Sequence, residues 1–306
     1  MAIIREAPAW EPKFDQSSVL LAKQELGGNC VPQQELGNEK RAERSNSMNF
    51  LAEIVARKLE DSLRLFEPGV AEAFKAEIAR RPAPISLKAA LDGAAGPAVI
   101  AEIKRASPSK GDLALSWDPV ELAQIYQENG AAAISVLTEP HYFKGDPEFI
   151  RRMRPLIHLP ILRKDFILEP IQVYETAALG ADALLLIVSL LEAGKLRALL
   201  LLTRSLGLEA LVEVHTAGEM ETALTAGARV IGINSRNLHT FEMFPDRALE
   251  LAPLAPAGVT LVAASGIKTR ADLEPLLRAG IHAFLIGERL VTQADPGAAL
   301  RGFIEG

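Results

Sequence analysis

From Pro97 onward, short apolar runs alternate with longer segments whose apolar residues recur every three to four positions. The runs are Val99–Lys104, Ala132–Leu137, Ile161–Lys164, Ala183–Val188, Ala210–Val214, Val230–Asn234, Thr260–Ala264 and Ala283–Ile286. Runs of this length rich in Val, Ile, Leu and Ala predict strands buried on both faces. Helical spacing predicts helices over Pro119–Asn129, Ile171–Leu179, Leu196–Leu206, Glu219–Ala226 and Asp272–Ala279. Gly130, Gly180, Gly227 and Gly280 sit between a helical segment and the next strand. There a left-handed residue ends the helix and turns the chain. Eight βα units in a row predict an α/β fold, a closed (β/α)8 TIM barrel. An open doubly wound sheet is the rival, but no GxGxxG follows the first strand.

Upstream, Leu51, Val55, Leu59, Leu63 and Phe66 give Met48–Phe66 a helical pattern, and shorter helices follow at Ala71–Arg80 and Leu87–Leu91. These read as cap helices belonging to one barrel domain over 47–306. Residues 1–46 are polar and aperiodic, and read as a flexible or loosely docked extension.

Composition narrows the function classes. The length of 306 residues suits one barrel of about 250 residues plus an extension. A net charge of -6 gives no broad attraction to nucleic acid or anionic membrane, so any anion site must be local. The single cysteine, Cys30, excludes an internal disulfide and a thiolate zinc cluster. His141, His158, His215, His239 and His282 show no pair at metal-ligand spacing, so no metal is expected. Met1–Phe14 lacks the apolar stretch of a signal peptide, and Ala183–Leu191 is too short to span a membrane. The expectation is a cytoplasmic protein.

Active sites of parallel barrels gather where strands end and loops begin. Side chains two apart on a strand share a face. Glu102 and Lys104 share one face of strand 1. Lys164 ends strand 3, Glu213 lies near the end of strand 5, and Asn234 and Arg236 share parity on strand 6. If these faces look inward, the mouth of the barrel is charged. A lysine flanked by cations and walled by apolar groups is expected to have a depressed pKa. Two glycine turns, Ser265-Gly266 and Gly287-Glu288, follow strands 7 and 8, where barrels commonly bind phosphate through backbone N–H groups. The loop Arg105–Trp117 is long enough to act as a lid, and Phe143 and Phe166 lie in the loops after strands 2 and 3.

The motifs AEIKRASPSKG (101–111), SVLTEPHYFKG (135–145), ILRKDFI (161–167), LVEVH (211–215), IGINSRNL (231–238) and VAASGI (262–267) resemble indole-3-glycerol phosphate synthase, from about Ser47 to the C-terminus. That family consists of cofactor-free carboxy-lyases of tryptophan biosynthesis. They convert 1-(2-carboxyphenylamino)-1-deoxyribulose 5-phosphate to indole-3-glycerol phosphate, CO2 and water. The resemblance implies that Lys164 is the general acid of ring closure and Glu213 the general base of dehydration. Glu102 and Asn234 join them as catalytic groups. Lys104, Ser107, Ser265, Gly266, Gly287 and Glu288 would contact the phosphate or substrate, Arg236 would orient it, and Phe143, Phe166 and Leu238 would line the anthranilate pocket. It implies no cofactor and no metal. The implied partners are the phosphorylated substrate and other tryptophan-pathway enzymes, with neither nucleic acid nor membrane.

One position departs from the family pattern V-[AS]-E-S-G-I: Ala264 stands where Glu is usual. By parity it faces the mouth, leaving Lys104, Lys164 and Arg236 less compensated and a lysine pKa lower. A neighbouring phosphate-binding barrel, phosphoribosylanthranilate isomerase, would use a Cys and an Asp, and the one Cys here lies in the N-terminal tail. The second alternative is a catalytically weakened barrel that binds a phosphorylated ligand, with Ala264 as its motive and intact Lys164 and Glu213 against it.

Overall fold

Eight parallel strands close on themselves in sequence order: β1 Ala98–Ile103, β2 Ala133–Leu137, β3 Ile161–Lys164, β4 Ala183–Ile187, β5 Glu209–Val214, β6 Val230–Asn234, β7 Thr260–Ala264 and β8 Ala283–Ile286. This computed structural model describes residues 51–305, apart from 109, 114, 115 and 239. The extension read over 1–46 lies outside the described residues. Every expected strand is present within one residue of its expected bounds.

The helices bind because each strand's outward side chains meet their apolar stripe. Val99, Ile134, Ile161, Leu184, Val212, Ile231, Ala263 and Phe284 all belong to this outer core. The intervening helices are α4 Pro119–Glu128, α5 Glu148–Met153, α6 Pro170–Leu179, α7 Ala193–Ser205, α8 Ala217–Ala226, α9 Arg247–Leu251 and α10 Leu273–Arg278, with α11 Glu288–Val291 and α12 Pro296–Ile304 after β8. Local chemistry sets their ends. Asp118 accepts the N–H of Val120 ahead of Pro119, and Thr216 accepts the N–H of Glu219. Gly130, Gly180, Gly227 and Gly280 take φ of 90°, 96°, 89° and 84°, the left-handed turns expected of them.

Ahead of the barrel come α1 (51–62), α2 Val70–Ile78 and α3 Leu87–Asp92. They cap it as expected, at both ends. At the N-terminal ends of the strands, Leu87 and Leu91 close the floor against Ala98, Ile100 and Leu162. Each such leucine withdrawn from water contributes about 1.5–3 kcal/mol. At the other end α1 sends Lys58 inward to Asp165, Nζ to Oδ2 2.7 Å. The floor is thus plugged and the C-terminal mouth left to loops.

Candidate active site

Inward-pointing residues of the barrel fall on one parity per strand: Ala98 and Ile100, Leu162, Leu185 and Ile187, Leu211, Val262 and Ala264 share the interior core. Continuing each row toward the C-terminal end brings Glu102, Lys104, Lys164, Glu213 and Asn234 into the mouth. The alternation of pleated strands is the whole reason they meet.

At the centre stands Glu213, 2% exposed. Its Oε2 accepts from Lys164 Nζ at 3.3 Å and its Oε1 from Asn234 Nδ2 at 3.0 Å. The amide orientation of Asn234 is fixed independently, because its Oδ1 accepts the backbone N–H of Arg236 at 3.0 Å. Lys104 Nζ lies 3.9 Å from Glu102 Oε1 and 5.6 Å above the Phe143 ring. Phe143 and Phe166 approach at 6.4 Å between centroids. Leu238 packs with Phe166 against the interior core.

The electrostatics overturn the expected depression of a lysine pKa. Burial pushes Lys164 down, but the charges of Glu213 and Glu102 outweigh it and hold the ammonium above the ordinary lysine value. The expectation weighed neighbouring cations, whereas the charges that dominate at Lys164 are the carboxylates of Glu213 and Glu102. Glu213 mirrors this. Burial pushes it up, and Lys164, His215 and the Asn234 amide bring it below the usual carboxylate range. The pair is therefore an ammonium facing a carboxylate. Ala264 is 5% exposed, faces inward, and pairs in register with Asn234 and Leu285. The side chain at 264 therefore does face the mouth.

The turns after β7 and β8 are shaped for close approach. Ser265 and Gly266 both take left-handed backbone, φ 69° and 82°. For serine this costs about 1–3 kcal/mol, a strain that collects at functional sites. Gly287 also has a packing duty: a Cβ there would lie 2.5 Å from Glu102 Oε1. Its hydrogen is what leaves room for the Glu102 carboxylate. Glu288 opens α11 and pairs with Lys110.

The expected lid holds a short hairpin, Ala106–Ser107 against Gly111–Asp112. It is tied down by the exposed pairs Lys110–Glu288 and Lys144–Asp112. Such pairs contribute about 0–1 kcal/mol each, so they can part cheaply. Ser107 is buried, and its Oγ has no hydrogen-bond partner among the described residues. Arg236 is half-buried and bridges to Met243 at the rim.

Several supporting residues escaped the sequence reading. Glu139 accepts the backbone N–H groups of His141, Tyr142 and Phe143, which fixes the Phe143 loop. Asp165 accepts the Phe166 N–H at 2.8 Å. His215 points Nε2 toward Glu213 Oε1 at 3.7 Å. Its parity with Glu213 was a legible signal. Among the described residues no group of three or more His, Cys, Asp or Glu side chains is placed to hold a metal ion. None of their helices is long and apolar enough to cross a membrane.

The model of the family "Indole-3-glycerol phosphate synthase" matches residues 51–303. The chain belongs to the indole-3-glycerol phosphate synthase family. A synthase of that name from Carboxydothermus hydrogenoformans is 56% identical over 221 residues, 71% of this chain and 84% of that one. Another from Mycolicibacterium gilvum is 50% identical over 230 residues, 75% of this chain and 84% of that one. Among solved structures, KGPDC from Streptococcus mutans aligns with a TM-score of 0.53 at 16% identity, over 68% of this chain and 95% of that one, a likeness of fold alone. The synthase family's match spans both the barrel and the cap helices α1 to α3.

Proposed function

We propose that this chain is a working indole-3-glycerol phosphate synthase, which closes, decarboxylates and dehydrates 1-(2-carboxyphenylamino)-1-deoxyribulose 5-phosphate. The observation that carries the reading is the ionised Lys164–Glu213 pair at the mouth, with Asn234 fixing the carboxylate. Ring closure needs an acid at the carbonyl oxygen, and Lys164 holds that proton. The bond from the aromatic carbon forms, CO2 departs, and its electrons restore the aromatic ring. Dehydration then needs a base for the ring hydrogen and an acid for the hydroxyl. Glu213, facing Lys164, is the base. Glu102 beside them holds Lys104, and assists proton transfer. Each positioned proton-transfer group contributes about 10²–10⁴-fold.

Binding follows from the same mouth. Lys104, Ser107, the Ser265-Gly266 turn and the Gly287-Glu288 turn hold the phosphate, and the unpartnered Ser107 hydroxyl gains an acceptor there. Arg236 orients the substrate, and Phe143, Phe166 and Leu238 stack against its ring. The chain works in the cytoplasm alongside other tryptophan-pathway enzymes.

The test is the appearance of indole-3-glycerol phosphate fluorescence on mixing protein and substrate with EDTA present. Turnover supports the synthase. Phosphate-competed binding without turnover would favour the second reading, a weakened barrel, for which Ala264 facing the mouth is the specific motive.

A further inference from the structure

One buried carboxylate near the mouth takes no part in the acid–base chemistry. Glu139 lies two residues past β2 and is 2% exposed. Its Oε1 accepts the His141 N–H at 2.9 Å, and its Oε2 accepts those of Tyr142 at 2.7 Å and Phe143 at 3.1 Å. No ion pair involves it among the described residues. A carboxylate withdrawn from water is costly unless it is hydrogen-bonded, and N–H bonds to a charged oxygen are roughly twice as strong as neutral ones. Three successive peptides are therefore gathered onto one side chain, and the loop takes its shape from it.

The same residue closes the far end of the loop. Its carbonyl oxygen accepts the Gly145 N–H at 2.8 Å. Lys144, just before, takes left-handed backbone at φ 52°. A Cβ at Gly145 would collide with the carbonyl oxygen of Leu137, so the backbone there lies tight against β2. Two further ties, His141 to Asp61 and Lys144 to Asp112, join exposed side chains and hold little. Phe143 sits inside this closed loop, half-buried, with its ring 6.4 Å from that of Phe166. Phe166 comes from the loop after another strand, β3. The spacing of the two rings is thus decided by where Glu139 holds the Phe143 peptide. Lys104 lies over the Phe143 ring but has Glu102 on its other side, so the phosphate side of the mouth does not depend on this loop alone.

We propose that Glu139 is a positioning residue for the aromatic ring of the substrate: by gathering the N–H groups of residues 141–143 it sets the Phe143 ring against Phe166, and so favours a sugar phosphate that carries a planar ring over one that does not. Glu139 touches no substrate and moves no proton. It acts through Phe143, and the proposal rests on the synthase reading above. A ring stacked on Phe143 presents its reacting carbon to the carbonyl only if the wall behind it stands at the right depth. Moving that wall costs the ring-bearing ligand and leaves the sugar phosphate untouched.

The test compares Glu139→Gln and Glu139→Asp with the wild type on two ligands. One is the ring-bearing substrate, followed by turnover. The other is 1-deoxyribulose 5-phosphate, the same sugar phosphate without the ring, used as a competitive inhibitor. Gln keeps the shape but replaces one acceptor oxygen with an NH2 that meets a backbone N–H. A misplacement of about 1 Å can cost about 10²-fold, so kcat/KM for Glu139→Gln is expected to fall about 10- to 100-fold. The inhibition constant of the ringless phosphate should stay within about twofold, because its contacts lie elsewhere in the mouth. Glu139→Asp keeps both oxygens, one methylene short, and should recover most of the loss. A side chain that only stabilises the fold would weaken both ligands together. A kcat/KM within about twofold of wild type for Glu139→Gln, or an equal loss for both ligands, overturns the proposal. Should Glu139→Gln fail to fold, Glu139→Asp carries the test: a loss of about threefold or more confined to the ring-bearing ligand is expected, and unchanged selectivity overturns it. Absence of turnover by the wild type overturns this proposal together with the synthase reading; wild-type turnover with unaltered selectivity in the Glu139 variants overturns this proposal alone.

Discussion

Lys164 ends β3 and Asp165 follows it, and the two neighbours turn to opposite sides with opposite fates. Outward, Asp165 is wholly enclosed by partners. Its Oδ2 takes Lys58 at 2.7 Å, Thr138 at 2.6 Å and Arg163 at 3.0 Å, and its Oδ1 the Phe166 N–H. Arg163 in turn reaches Glu175 at 2.8 Å. Inward, Lys164 has one longer contact, 3.3 Å to Glu213, and its side chain stays partly exposed. Both carboxylate oxygens are occupied in the first network, and the side chain is fully buried. The second has fewer partners and is partly exposed at the mouth. Burial alone does not separate a structural ion pair from a reacting one; the unfilled coordination does.

The sharpest way to break this comparison is to disarm the inward network. Glu213→Gln keeps the shape and the Asn234 contact but cannot take a proton, and kcat is expected to fall about 10²–10⁴-fold. Melting should be nearly unchanged. Turnover and thermal unfolding on the same sample check both halves.

Disarming the outward network should do the reverse. Asp165→Ala leaves Lys58 and Arg163 buried with one carboxylate fewer, and breaking a buried pair from one side costs about 3–5 kcal/mol. Urea unfolding measures it. The same network gives a pH sign. Burial pushes Asp165 up, but Lys58 and Arg163 hold it well below the usual carboxylate range. A carboxyl depressed on folding stabilises above its unfolded pKa of about 3.9, and that stability drains as pH falls toward the folded value. Wild-type stability should therefore fall with acid below about pH 4, and Asp165→Ala should lose part of that dependence.

A smaller effect is expected from Ala264→Glu. The new carboxylate would face the mouth beside Asn234, among Lys104, Lys164 and Arg236, where the family pattern carries one. A rise in kcat/KM of about tenfold, or 1.4 kcal/mol, is expected. An unchanged rate would show that the remaining carboxylates suffice. The smallest effect belongs to neither network. Arg152→Ala removes the exposed pair with Asp118 and should change stability by about 1 kcal/mol or less.

Much of the barrel was legible because its signals are local. Strand runs, helical spacing and the glycine stops at Gly130, Gly180, Gly227 and Gly280 each read within a dozen residues. Parity then placed Glu102, Lys164, Glu213 and Asn234 on one interior face before any coordinates. Where the reading stopped, the information was long-range. Lys58 meets Asp165 across 107 positions, and no period connects them. The direction of the Lys164 shift was misjudged because it depends on which charge is nearest, and sequence gives neighbours along a strand but no distances across the barrel. His215 was available by the same parity rule as Glu213. It was passed over because histidines were weighed for metal spacing alone. The close contact of Gly287 with Glu102, a residue at the other end of the domain sequence, is likewise invisible to any local pattern.

The central claim is that the inward pair performs the chemistry and the outward pair only holds it in place. Substrate turnover by Lys164→Met, measured by product fluorescence beside the wild type with KM determined for both, tests it most directly. The account predicts a kcat lower by about 10²–10⁴-fold with a native melting profile. A Lys164→Met protein that forms product within a few-fold of the wild-type rate would contradict it.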